Sequence, residues 1–172
     1  IKTPLGVIFH TGDFKIDLTP IDDKVIDIDR ISTIGKEGVI LLMADSTNVE
    51  RSGYTMSEKS IGNTFNRIFR GANGRIIIAT FASNIHRMQQ IINASIENKR
   101  RVAFSGRSME SISKVAFELG YLHIPEGMLI EIDDINNYSN ENVTIITTGS
   151  QGEPMAALAR IAFGNHRKIK IE

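Results

Sequence analysis

The 172-residue sequence lacks cysteine and tryptophan, has only four prolines, and carries basic and acidic side chains in equal number, 20 of each. Without cysteine the chain forms no disulfide and no thiolate zinc site, so any transition metal must be held by histidines and carboxylates. The formal net charge of zero gives no whole-chain argument for a nucleic-acid partner. No apolar run approaches the roughly 18 residues that span a bilayer, and no signal-like N-terminus is present. We therefore predict a protein without membrane association, located in the cytoplasm.

The histidines are too dispersed to define a metal site. They never stand two or four residues apart, the spacings at which a strand or a helix points two imidazoles at one ion. The set consists of His10, His86, His123 and His166. The last two are interpreted as structural or exposed, and no complete metal site is visible in the sequence.

Apolar runs alternate with amphipathic segments, which predicts an α/β fold. The run at 38–44 has little polar interruption and indicates a strand buried on both faces. The predicted strands cover residues 6–9, 38–44, 76–81, 102–105 and 143–148. The predicted helices cover residues 26–34, 57–70, 84–98, 108–119 and 153–163. A possible capping box at Thr55 and Glu58 announces the second helix. Short strand-to-helix junctions imply right-handed crossovers, so we expect a parallel sheet flanked by helices.

Three of the predicted junctions place small or hydroxyl residues before a helix start. They are residues 81–87, 105–108 and 148–153. Unpaired N–H groups and the helix dipole favour an anion at such positions, and a phosphate would fit. Because parallel strands end at the same edge of a sheet, the junctions should cluster there, which favours a phosphate-rich ligand. Simple N-capping remains an equal alternative at each junction, by Ser83 or Asn84, Ser108 and Ser150.

Asp13 follows the first predicted strand, after the apolar run at 6–9. That position, in the crevice beyond the carboxyl edge of a sheet, suits a metal ligand. A turn aspartate that bonds its own backbone is the competing interpretation. The basic groups at Arg67, Arg70 and 99–101 are explained by a solvated face or by the negative ends of helix dipoles.

Six segments, in order along the chain, carry a family resemblance. They are HTGDFKID (10–17), ADSTN (44–48), SGYTMSE (52–58), FASNIHR (81–87), SGRSM (105–109) and TGSQGEPMAALAR (148–160). Together they resemble ribonuclease J, of the β-CASP branch of the metallo-β-lactamase fold. The resemblance implies a Rossmann-like β-CASP domain at residues 51–172 and a piece of the metallo-β-lactamase core at residues 1–50. It further implies a zinc-dependent ribonuclease, acting as a 5′ exonuclease, an endonuclease or both in rRNA processing and mRNA decay.

The same resemblance implies roles for individual residues. In the family the aspartate of HTGDFK bridges two zinc ions, a role that falls on Asp13, and Asp45 supports the metal site, so both are expected to be catalytic. Contacts to single-stranded RNA, made through its backbone, are expected at Ser83, Asn84, His86, Arg87, Arg107 and Ser150. For His86 a half-buried, hydrogen-bonded histidine is an equal alternative. Phe81 and Tyr54 suit base stacking, but we favour core packing for Phe81 because it ends a predicted core strand.

The family's H-x-H-x-D-H segment and its later histidine motifs do not occur in this sequence. We therefore expect an interior piece of a longer protein, inactive and without stably bound zinc on its own, and a homo-oligomer for the whole protein. A nucleotide-binding α/β module is one alternative, although neither G-x-G-x-x-G nor G-x-x-x-x-G-K-[ST] is present. A non-catalytic RNA-binding or interaction scaffold of the β-CASP type is the other.

Overall fold

The computed structural model describes residues 1–171 and divides the chain into two compact units, Ile1–Ser60 and the chain from Ile61 onward. Both units combine strands with helices. Among the described helices, none is both long enough and apolar enough to cross a membrane.

The first unit contains a small mixed sheet and one helix. Its strands are β1 (Lys2–Thr3), β2 (Gly6–His10) and β3 (Val39–Met43), and its helix is α1 (Ile28–Glu37). β1 pairs antiparallel with β2, and β2 pairs parallel with β3. α1 starts two residues later than predicted because Asp27 caps it, accepting a hydrogen bond from the backbone N–H of Arg30 at 2.8 Å.

The prediction that the strand at 38–44 is buried on both faces is wrong. The side chains of Ile40 to Met43 are between 41% and 59% exposed. β3 lies at the edge of its sheet, and no described element covers its apolar residues. An apolar run shows that a strand can be buried. The strand is buried only where another element packs against it.

The second unit is a parallel sheet flanked by helices, which confirms the predicted fold class. Its sheet has the order β4-β6-β5 with all strands parallel. The strands are β4 (Ile76–Ala79), β5 (Arg101–Ser105) and β6 (Val143–Thr147). The helices are α2 (Lys59–Gly71), α3 (Ile85–Glu97), α4 (Arg107–Glu118) and α5 (Ala157–Ala162). Residues 127–142 contain two short 3-10 turns, Ile135–Asn137 and Asn140–Asn142, and a bridge in which Leu129 pairs parallel with Val102.

Alternate residues of β5 and β6 supply the two faces of this sheet, as the pleat requires. On one face Val102 and Ile146 pack in a cluster with Met88, Ile91 and Ile92 of α3. On the other face a second cluster contains Ala103, Val143, Ile145, Ile135, Ile161 and Ile169. Each fully buried aliphatic side chain contributes roughly 1.5–3 kcal/mol, so the two clusters stabilise the sheet from both sides.

Arg100 is a structural residue and not part of a solvated basic face. Its side chain is 2% exposed. The guanidinium donates to the carbonyl oxygens of Ala72 at 2.6 Å and Gly74 at 2.9 Å, and it lies 6.0 Å from the ring centroid of Phe69. Arg100 therefore satisfies carbonyl groups just beyond the end of α2, a place where a cation also complements the helix dipole.

Two predicted helix starts are wrong. α2 begins at Lys59, so Glu58 precedes the helix and the capping box with Thr55 does not form. α5 begins at Ala157, four residues after the predicted start at Glu153. Residues 153–156 form a turn instead, in which the backbone N–H of Ala156 donates to the carbonyl oxygen of Glu153 at 3.0 Å.

Candidate functional site

The candidate site of the second unit lies where its three parallel strands end. Ala79 of β4 and Ser105 of β5 both pair with Thr147 of β6, so the three strand ends meet side by side. The three junctions selected from the sequence therefore share one edge of the sheet, as predicted. In open α/β sheets this is the edge at which ligands bind.

At the start of α3 the capping interpretation is correct for Asn84. Its side-chain oxygen accepts a hydrogen bond from the backbone N–H of Arg87 at 3.0 Å. Ser83, immediately before the cap, has an exposed side chain. His86 is also exposed, and Arg87 is partly buried. The groups presented to solvent here are thus the hydroxyl of Ser83 and the imidazole of His86.

Phe81 is not a core residue. Its side chain is 51% exposed, so the prediction of core packing is wrong. It lies two residues after the end of β4. It lines an open depression of about 610 Å³ together with Ser83, Asn84, Ile85, His86 and Tyr121. Tyr121 is 65% exposed and comes from a segment 40 residues farther along the chain. No motif marks Tyr121 in the sequence, and only the fold brings it beside residues 81–86.

The segment that carries Tyr121 is tied to α3 by Gln89. The side-chain oxygen of Gln89 accepts from the backbone N–H of His123 at 2.7 Å, and its side-chain nitrogen donates to the carbonyl oxygen of His123 at 3.1 Å. Beside this pair, Leu122 is buried in the core at 1% exposure. The path of the chain immediately after Tyr121 is therefore fixed by these contacts.

The second junction places an exposed arginine at the start of α4. Gly106 is the N-cap residue with φ of 112° and provides no side-chain cap, so capping by Ser108 is wrong. The backbone N–H of Gly106 donates to the Glu110 carboxylate at 3.2 Å, which already satisfies one of the free donors of this helix start. Arg107 is exposed at the first helical position.

The third junction is a tight loop and not a capped helix start. Ser150 is exposed, but α5 begins seven residues later with Ala156 as its N-cap, so capping by Ser150 is wrong. The loop is packed closely at Gly149, where a Cβ would lie 2.9 Å from the Cβ atoms of both Ala156 and Leu158. Ser150 therefore projects from a rigid turn at the same edge as Arg107.

Ser105 and His166 are bonded at the end of β5, with Ser105 Oγ 3.2 Å from His166 Nε2. His166 Nδ1 accepts from the backbone N–H groups of Lys168 at 3.3 Å and Ile169 at 3.1 Å. Nε2 consequently carries the proton and donates to Ser105, so this imidazole cannot act as a base toward the hydroxyl. Burial, reinforced by the nearby cations of Arg160 and Lys168, lowers the pKa of His166, and Glu110 acts weakly in the opposite direction. His166 is structural, as the sequence indicated.

In the first unit, Asp13 and Asp45 follow the carboxyl ends of the neighbouring parallel strands β2 and β3. Together with His10 they line an open depression of about 390 Å³. Asp45 accepts from the Thr47 hydroxyl at 2.6 Å and the Thr47 backbone N–H at 2.9 Å, and these bonds lower the pKa of its carboxyl. Asp45 is thus held as a carboxylate beside Asp13, whose side chain is exposed.

The donor set of this depression does not fit a zinc centre by itself. His10 Nδ1 accepts from the backbone N–H of Gly12 at 2.9 Å, which engages one of its two ring nitrogens. Within residues 1–171, no group of three or more histidine or carboxylate side chains stands close enough to hold a metal ion. A zinc ion needs three or four protein ligands, and these residues by themselves do not provide them.

Comparison with known proteins gives a consistent set of relatives. Residues 73–172 match the family described as "Ribonuclease J, beta-CASP domain". Ribonuclease J of Helicobacter pylori is 48% identical over 172 residues, covering 100% of this chain and 25% of that protein. Ribonuclease J of Thermus thermophilus is 47% identical, covering 100% of this chain and 30% of that protein. Ribonuclease J2 of Bacillus subtilis is 44% identical over 171 residues, 99% of this chain and 31% of that protein. The chain thus spans between a quarter and a third of the length of these relatives.

Proposed function

The chain belongs to the ribonuclease J family, and from that premise we propose that its second unit is the part of a ribonuclease that binds single-stranded RNA through the sugar-phosphate backbone. The observation that carries the proposal is the meeting of three strand-to-helix junctions at one sheet edge. Ser83, His86, Arg107 and Ser150 are all exposed there. These side chains supply hydroxyl, imidazole and guanidinium donors, the groups that most often contact phosphate oxygens.

The contacts in this proposal come from side chains and not from helix N–H groups. Asn84 already occupies one N–H at the start of α3, and Glu110 occupies one at the start of α4. Arg107 suits a phosphodiester because its planar guanidinium forms two parallel hydrogen bonds with phosphate oxygens. Contacts of this kind position the strand without reading its bases, so the binding is expected to be independent of sequence.

For the first unit we propose that it is part of the metallo-β-lactamase core. Asp13 and Asp45 would then contribute to a two-zinc centre of the whole protein, with Asp13 bridging the ions. Because the described residues do not assemble a metal site, the remaining ligands would come from parts of the protein that this chain does not include. The isolated chain would accordingly be inactive toward RNA.

The whole protein would have an activity, a cellular role and an assembly that go beyond RNA binding. We propose a zinc-dependent ribonuclease with 5′ exonucleolytic activity, endonucleolytic activity or both. It would act in rRNA processing and mRNA decay, be located in the cytoplasm and assemble as a homo-oligomer. Membership in a family whose relatives are named ribonucleases supports the ribonuclease activity in this proposal.

The test is a competition between RNA chains and free nucleotides. Fluorescence anisotropy of a labelled single-stranded RNA should report binding by the 172-residue chain that weakens steeply as salt rises from about 50 to 200 mM, because phosphate contacts release counterions. Unlabelled single-stranded RNA should displace the probe, whereas nucleoside mono- and triphosphates should not. Displacement by free nucleotides alone would instead support a nucleotide-binding module. Absence of any RNA binding would support a non-catalytic scaffold and overturn the proposal.

A further inference from the structure

Two exposed aromatic rings border the depression beside the start of α3. Phe81 and Tyr121 are 51% and 65% exposed, and both line the same depression as Ser83 and Asn84. Among the described residues, neither ring takes part in a ring-ring or cation-π contact. Other large apolar side chains of the chain are exposed as well. What distinguishes this pair is that two rings from distant segments share one concave surface with hydroxyl and amide groups.

The backbone around Tyr121 is rigid, which favours a role for its ring. The N–H of Tyr121 donates to the carbonyl oxygen of Ala116 at 2.8 Å, and the preceding Gly120 turns the chain with φ of 76°. Leu122 anchors the next position in the core, and the two Gln89 hydrogen bonds hold His123. A ring on such a fixed segment loses little conformational entropy when a ligand stacks on it.

A nucleobase of single-stranded RNA matches this surface in shape and chemistry. Every base has an apolar face that stacks on an aromatic ring, and its ribose and phosphate need polar partners nearby. The depression provides the rings of Phe81 and Tyr121 together with Ser83 and Asn84, and its volume of about 610 Å³ has room for at least one nucleotide.

We infer that Phe81 and Tyr121 form a base-stacking subsite for single-stranded RNA, an inference that rests on the proposed RNA binding of this unit. The subsite accepts any base, because stacking uses the face of the base and not its hydrogen-bonding edge. Gln89 acts as a positioning residue that holds the Tyr121 segment against α3. The strand would pass from this subsite toward Ser83 and the neighbouring strand ends.

The test uses single-stranded RNA carrying 2-aminopurine, whose fluorescence is quenched when it stacks. With the 172-residue chain, Tyr121→Leu should weaken RNA binding roughly 5- to 100-fold and should relieve the quenching. Tyr121→Phe keeps the ring and should retain both affinity and quenching. Phe81→Leu should act in the same direction as Tyr121→Leu. Phe163→Leu is the matched control, because Phe163 is 77% exposed in the same unit and does not line the depression.

The possible outcomes distinguish RNA binding by the second unit from base stacking on Phe81 and Tyr121. If the wild-type chain binds RNA but Tyr121→Leu and Phe81→Leu bind and quench like the wild type, the stacking subsite is wrong and the proposed RNA binding stands. If the wild-type chain does not bind RNA, both the proposed function and the subsite are overturned. Equal loss in Phe163→Leu would also contradict the assignment, because the effect would not be specific to the depression.

Discussion

The side chain of Gln89 holds both backbone groups of His123, accepting from its N–H at 2.7 Å and donating to its carbonyl at 3.1 Å. The side chain of Gln89 thus gives the N–H and the carbonyl of His123 the hydrogen bonds that a paired strand would give them. The chain between α4 and the core is fixed by these two bonds and by buried Leu122. This relationship places Tyr121 beside the end of β4.

Gln89→Ala should therefore affect stability and RNA binding together. Loss of the bonds to His123 should lower the free energy of unfolding by about 1–2 kcal/mol, the sum for two ordinary hydrogen bonds. The freed segment should also reduce 2-aminopurine quenching, which a loss of stability alone would not do. Urea unfolding and RNA titration measure the two effects. Asn63→Ala, on the exposed surface of α2, is the control and should change neither.

His166 should make the second unit less stable in mild acid. Its pKa is lowered in the folded chain, so between that value and the ordinary value near 6.5 the unfolded chain binds more protons. The contribution of His166 is full above about pH 6.5 and decreases as the pH falls below it. Urea unfolding across this range should show the loss, and His166→Gln should flatten it. An unchanged slope in the variant would contradict the assignment of a neutral, hydrogen-bonded imidazole.

Gly149→Ala should destabilise the second unit, because φ at this position is 111° and the new Cβ would lie 2.9 Å from Ala156 and Leu158. We expect a loss of about 1–3 kcal/mol in the free energy of unfolding. Gly152→Ala has a positive φ but no atom within 4 Å, so its loss should be smaller. Gly74→Ala has neither feature and should be nearly neutral. Equal effects for all three would contradict the close packing of this loop.

Arg107→Ala should weaken RNA binding without a change in stability, since the side chain is exposed at the start of α4. Removal of one phosphate contact should also reduce the slope of log affinity against log salt concentration by about one. Arg67→Ala is the matched control, because this arginine is exposed on α2 and away from the strand ends. The same loss in both variants would show that binding follows net charge and not the position of Arg107.

The 172-residue chain should neither hydrolyse RNA nor bind zinc tightly. Within residues 1–171 its histidine and carboxylate side chains form no group of three that could hold a metal ion. Incubation with labelled RNA and excess zinc, followed by gel analysis, measures the activity, and isothermal titration calorimetry measures metal binding. RNA cleavage that disappears in Asp13→Ala would contradict this expectation.

The sheet of the second unit was predictable because its strands are short β-branched runs between turn residues. Ile76–Ala79 and Val143–Thr147 are such runs, and they pair in parallel as expected. The helix start at Asn84 was also predictable, because capping is a local property of an asparagine side chain and the next backbone turn.

Other features depend on distant parts of the chain and could not be predicted from local patterns. Tyr121 lies beside Phe81 only because the segment after α4 returns along α3. Arg100 stands in a basic run, yet its burial follows from carbonyl groups at residues 72 and 74, more than 25 positions earlier. The exposure of β3 likewise depends on which elements pack against it.

Photo-crosslinking of 4-thiouridine RNA to the 172-residue chain shows whether RNA binds at the strand ends of the parallel sheet. Mass spectrometry of the crosslinked peptides locates the RNA without any substitution. We expect crosslinks in residues 81–87 and at Tyr121, with further crosslinks near Arg107 and Ser150. Crosslinks confined to residues 1–60, or to α2, would contradict the account, because RNA would then bind away from the strand ends of the parallel sheet.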